Sequence, residues 1–211
     1  MLFHSLLFYF VFQSTFKKSN TFAMKAQKSL SRPVFWVAVT TLILLAIPFV
    51  AMQFTNEVNW SVSDFIIMGL LIFSTGLSYV LLTRSASGFT YRAAFALAVG
   101  TTFLLIWANL AVGLIGSGPN AANLMYAGIA GIVIIGAFLS RFTSRGMKHV
   151  MFIAAFALAI CAGIQLLTKM YAYAGSSVKE IILVNAFFAM LYAIAGLLFR
   201  HIALKQPPVA A

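Results

Sequence analysis

AAFALAVGTTFLLIWANLAVGLI, residues 93–115, runs for twenty-three positions without a Lys, Arg, Asp, Glu or His, and the fold turns on it. At about 1.5 Å of rise per residue, a helix of this length crosses a hydrocarbon core roughly 30 Å thick. A strand is the rival reading of any apolar run, but strands are short and half-buried ones alternate apolar with polar residues, which this run does not. Five more runs share its character: Phe35–Gln53, Phe65–Thr83, Leu124–Ser140, Val150–Thr168 and Ile181–Phe199. The expectation is an all-α fold, a polytopic membrane bundle of six transmembrane helices occupying residues 35–200.

Composition agrees. Hydrophobic residues make up 63% of the 211 and charged residues 8%, against roughly 45–50% and about 25% in soluble domains. A soluble fold needs a charged shell that so few ionic residues cannot supply, and a disordered chain would be polar. The single cysteine, Cys161, lies inside an apolar run, which excludes an intrachain disulfide and a thiolate metal site and reads as a buried, inert thiol.

Net charge is +11, from fourteen bases and three acids. In a soluble protein that would suggest nucleic acid, yet the bases sit between the apolar runs. Lys17, Lys18, Lys25, Lys28 and Arg32 precede the first run; Arg84 and Arg92 lie in the second connection; Arg141, Arg145 and Lys148 lie in the fourth; Arg200 and Lys205 follow the last run. The alternate connections hold only Lys169 and Lys179, together with all three acids, Glu57, Asp64 and Glu180. By the positive-inside rule both termini are cytoplasmic. No nucleic-acid-binding motif surrounds the bases, so their partners are the lipid bilayer and its anionic headgroups at the inner face.

Residues 1–23 form a marginal apolar segment, and Met24 opens a leader of ordinary cytoplasmic character, MKAQKSLSRP. The reading is a non-native upstream extension over 1–23, a cytoplasmic leader over 24–34 and a cytoplasmic tail over 201–211. An ungapped likeness between Ser61–Arg84 and Ser177–Arg200, with Asp64 matching Glu180, is open to two explanations. Either a helical hairpin was duplicated, or both helices independently placed an acid at the N-terminus and a base at the C-terminus, where each complements the helix dipole.

Small residues let helices approach closely in lipid, and amides hydrogen-bond between them. Gly113 and Gly116 at the end of the third run, Gly128 and Gly131 in the fourth, Ala155, Ala159 and Gly163 in the fifth, and Ala189 and Gly196 in the sixth are the expected packing positions. The amides and acids gather toward one side: Glu57, Asn59, Trp60, Asp64, Asn109, Asn120, Asn123, Glu180 and Asn185. Interface anchoring explains Trp60, and turn-building explains Asn120 and Asn123. The alternative is that these residues together line an outer-facing polar site.

The stretch WANLAVGLIGSGPNAANLMY, Trp107–Tyr126, resembles the signature of a family of small bacterial integral membrane proteins with six helices and no assigned activity. IPFVAMQFTNEVNW (Ile47–Trp60) and SRFTSRGMKH (Ser140–His149) fit that family in the same order, so the resemblance spans most of 24–200. It implies the six-helix topology, in a bacterial inner membrane, and no mechanism. Gly118 and Pro119 stand where the family often has acids, and Ala121 where it has proline, which argues against a cation site on this loop.

No catalytic motif is present: no HExxH, no GxSxG, no phosphate-binding glycine loop, and no Lys, Arg, Asp, Glu or His within any run. The expectation is therefore a non-enzymatic accessory or binding protein without cofactor or metal, with a membrane protein or a second copy of itself as a possible partner. The alternative is a small-solute carrier or the substrate-capture subunit of an importer. A membrane enzyme stands third.

Overall fold

The computed structural model describes residues 30–84, 88–116 and 120–205. Residues 1–29 and 206–211, which hold the expected extension and most of the leader and tail, lie outside the described residues. The chain divides into two units, Met1–Trp36 and Val37–Ala211. Of the first, only the opening turn of a helix is described, where the rings of Phe35 and Trp36 meet edge to face at 5.8 Å. All that follows concerns the second.

Six long helices carry the structure, and no strand occurs among the described residues: α1 (Ser31–Phe54), α2 (Val62–Thr83), α3 (Phe89–Ala111), α4 (Leu124–Leu139), α5 (Ser144–Leu167) and α6 (Val178–Lys205). Each is apolar and, with the 3₁₀ turn Ala121–Asn123 continuing into α4, long enough to cross a membrane. The all-α, six-span expectation therefore holds.

Contacts fix the directions. Phe49 of α1 meets Phe65 of α2, while Leu45 lies beside Gly69 and Val37 beside Gly76, so these two helices are antiparallel. Tyr126 bonds to Gln165 and Gly136 abuts Val150, which sets α4 against α5. Gln165 reaches Asn185 and Phe152 lies on Gly196, which sets α5 against α6. Thr102 meets Tyr192, and Phe95 packs edge-on against Phe199 at 4.9 Å, joining α3 to α6. The core lies among α3–α6, where Phe95, Leu105, Tyr126, Met151, Leu158 and Tyr192 are fully buried. By contrast α1 buries only Thr41 and α2 only Thr83.

Helix ends depart from the apolar runs in an instructive way. α5 starts at Ser144, six residues before Val150, because the Thr143 hydroxyl accepts the Gly146 N–H and caps it there. Arg145 and Lys148 ride on its first turns. Charge marks where hydrocarbon ends; it does not stop a helix. α3 stops at Ala111, short of the expected Ile115, and Gly113 and Gly116 lie beyond it at φ near +70°. Both take the left-handed conformation that glycine adopts without steric cost, so they shape a turn beyond the helix and not a helical packing face; Gly116 packs within that turn, where a Cβ would meet Asn120 at 3.3 Å.

The remaining small residues divide sharply. A Cβ on Gly196 would sit 3.2 Å from the Phe152 ring, and one on Gly136 only 2.9 Å from Val150. Ala155 and Ala189 pack against the core. Gly128, Gly131 and Gly163 face open space, and Ala159 is exposed. Gly196→Leu is expected to destabilise the bundle by about 1–3 kcal/mol or more through overpacking, whereas Gly131→Leu leaves the isolated protein within about 0.5 kcal/mol of wild type. Thermal unfolding of the two variants in the same detergent checks the contrast.

Candidate functional site

The expected outer site resolves into separate structures. Asn123 is the centre of the first. Its Oδ1 accepts the N–H groups of Leu114 and Ile115 at 2.9 and 2.8 Å, and its Nδ2 donates to the Ile115 carbonyl at 3.3 Å. Helix α3 has just ended, so these backbone groups have no helical partner, and one buried side chain satisfies three of them. Asn109, from the last turn of α3, donates Nδ2 to the Asn123 carbonyl at 3.2 Å. Asn120 caps the following 3₁₀ turn by accepting the Ala122 N–H. The Gly116 N–H donates to the Ser176 hydroxyl at 2.8 Å, tying this turn to the one before α6.

The second structure lies just inside the helices. Asn185 of α6 donates its amide hydrogens among the Tyr126 hydroxyl at 3.1 Å, Gln165 Oε1 at 3.2 Å and the Ile181 carbonyl at 2.8 Å. Gln165 of α5 donates to the same Tyr126 hydroxyl and to Cys161 Sγ. All three polar side chains are buried, and the Asn185 Oδ1 has no partner. Amides within a membrane helix must find partners inside the protein, and here they find one another across α4, α5 and α6. Gln165 and Tyr126 were not among the expected site residues. The available signal was a Gln inside a charge-free apolar run.

The acids stay apart from these amides. Asp64 closes a capping box with Ser61 at the start of α2, accepting the Ser61 N–H at 2.7 Å. Glu57 and Asn59 are exposed on the α1–α2 connection, and Trp60 leans edge-on against Phe65. Glu180 is exposed in the first turn of α6, and its N–H is capped by Ser177. Among the described residues no hydrogen bond or ion pair joins an acid to Asn109, Asn120, Asn123 or Asn185, and no three His, Cys, Asp or Glu side chains approach closely enough to share a metal.

A cavity large enough for a ligand lies elsewhere among the described residues. A cavity of about 390 Å³ opens between α2, α3, α4 and the start of α5, within the size range of small-molecule sites. Leu71, Val99, Phe103, Val133, Phe138 and Met147 represent its walls. Its polar groups are the hydroxyls of Ser74, Thr75, Ser78 and Thr102. Ser74 and Thr75 donate back to the Leu71 carbonyl, and Thr102 donates to that of Ala98. What faces the cavity is therefore chiefly hydrocarbon, suited to an apolar occupant and unsuited to a charged solute. No protein-family model matches the chain, and neither a curated protein nor a solved structure does.

Proposed function

We propose that this chain is a non-enzymatic, multi-pass protein of a bacterial inner membrane that binds an apolar molecule dissolved in the bilayer. The observation that carries the reading is the cavity between α2 and α5, whose lining is chiefly apolar. The outer amides support it by default of the alternative. Asn109, Asn120, Asn123 and Asn185 are engaged in tying turns and helices together, and the Oδ1 atoms of Asn109 and Asn185, which have no partner, are buried, so a small polar solute finds few accessible groups there. The test is retention: protein purified in mild detergent is extracted with organic solvent, and the extract should contain an apolar compound in near-stoichiometric amount. An extract without one ends the reading.

The orientation belongs to the same proposal. The turn bearing Arg141 and the end of α6 bearing Arg200 and Lys205 face the cytoplasm, by the distribution of Lys and Arg. In a Cys161→Ser background, Asn59→Cys should react with a membrane-impermeant maleimide in whole cells, and His201→Cys only after lysis. The reverse pattern would invert the topology.

An accessory role has one observation of its own. Gly128, Gly131 and Gly163 leave bare surface on α4 and α5, the kind of surface against which another membrane helix packs closely. If such a partner exists, Gly131→Leu abolishes its co-purification without unfolding the protein. The resemblance of Trp107–Tyr126 to the six-helix bacterial family agrees with either role.

A further inference from the structure

The apolar-binding reading leaves the occupant's chemistry open, and the two ends of the cavity narrow it. On α2 its lining extends from Leu71 to Leu82. That is twelve residues of helix, spanning about 16 Å, close to half of a roughly 30 Å hydrocarbon core. The cavity therefore has the depth of a single leaflet, the space one acyl chain occupies.

The end near Leu82 is the basic one. The lining residues Leu82, Phe95, Phe142 and Met147 stand one to three positions from Arg84, Arg92, Arg141 and Lys148. No acid lies there: Glu57 and Asp64 sit around the start of α2, and Glu180 at the start of α6, both at the opposite end. Positive charge near one end of a hydrocarbon slot complements one class of molecule, an amphiphile with an anionic head.

The turn between α4 and α5 adds a third observation. The Arg141 N–H donates to the Phe138 carbonyl and the Phe142 N–H to that of Ala137, which is the Schellman arrangement that ends helices. Its C′ position normally belongs to glycine, yet here it is Arg141 at φ 50°, followed by Phe142 at φ 55°. Left-handed backbone is unfavourable for both residue types. Strain of this kind collects where a side chain serves a purpose. Phe142 forms part of the cavity wall, and Arg141 precedes it in the same left-handed turn.

We infer that the cavity holds one acyl chain of an anionic glycerophospholipid, whose phosphate headgroup is met by Arg141 and Lys148. This rests on the apolar-binding reading, and the experiment separates the two. The full-length protein is equilibrated with mixed micelles containing equal amounts of phosphatidylglycerol and phosphatidylcholine of identical chains, and bound lipid is counted by native mass spectrometry. Wild type should retain phosphatidylglycerol at least fivefold over phosphatidylcholine. Arg141→Gly/Lys148→Gln should reduce that preference below twofold while still binding lipid. Arg141→Gly alone should unfold at a higher temperature than wild type, because glycine relieves the left-handed turn, and this shows that any loss of preference is not a loss of folding. Ser78→Phe, which places a ring in the cavity from α2, should remove both lipids, and Val99→Phe repeats the test from α3. Equal retention of the two lipids by wild type, or an unchanged preference in Arg141→Gly/Lys148→Gln, overturns the anionic-lipid inference alone. Full binding in both Ser78→Phe and Val99→Phe overturns the apolar-binding reading with it.

Discussion

Asn123→Leu should destabilise the protein by about 2–6 kcal/mol, the largest loss expected of any single amide. The substitution removes the acceptor of two backbone N–H groups, Leu114 and Ile115, and the donor to the Ile115 carbonyl. Ile115 is fully buried, so water does not replace what is lost. Each orphaned buried group costs about 1–3 kcal/mol. Asn120→Ala is the matched control from the same turn: it removes one half-exposed cap bond and should cost about 1 kcal/mol. Asn123→Gln keeps the amide but moves it one methylene outward, which cannot reach both N–H groups, so it should resemble Leu. The three are compared by thermal unfolding in detergent. If Asn123→Leu falls no further than Asn120→Ala, the clasp does not hold the α3–α4 turn.

That turn also shows what a sequence can and cannot convey. Helix number was legible because the length of an uncharged apolar run is a one-dimensional property, and six runs meet the thickness of a bilayer. The end of α3 was not. Gly113 and Gly116 are small enough for a packing seam and free enough for a positive φ, and the choice depends on Asn123 reaching back to Leu114 and Ile115. The gathering of amides toward one end was visible too. Their purpose was hidden because a side chain's partner belongs to another helix: Asn185 meets Gln165, twenty residues away, and Tyr126, fifty-nine away. Gly196 and Gly131 look alike in sequence and differ in whether a ring from α5 lies above them. The cavity left the faintest trace, a patch of small hydroxyl residues, Ser74, Thr75 and Ser78, within one face of α2.

The amide–phenol cluster yields the second large effect, and its sign depends on how many members are changed. Asn185→Leu should cost about 1–3 kcal/mol, because Tyr126 and Gln165 then remain buried with a partner missing. Tyr126→Phe should cost a similar amount, since the Gln165 and Asn185 amides both donate to that hydroxyl. If the cluster served only to hold α4, α5 and α6 together, its bonds would contribute little net stability, because interhelical hydrogen bonds in membranes average about 0.6 kcal/mol. Replacing every polar member by a hydrocarbon of similar shape removes the desolvation cost along with the bonds. The triple variant Tyr126→Phe/Gln165→Leu/Asn185→Leu should therefore recover most of the stability that either single variant loses. Unfolding titrations of the singles and the triple measure the recovery. Losses that simply add would mean that the three side chains act independently and do not form one connected network.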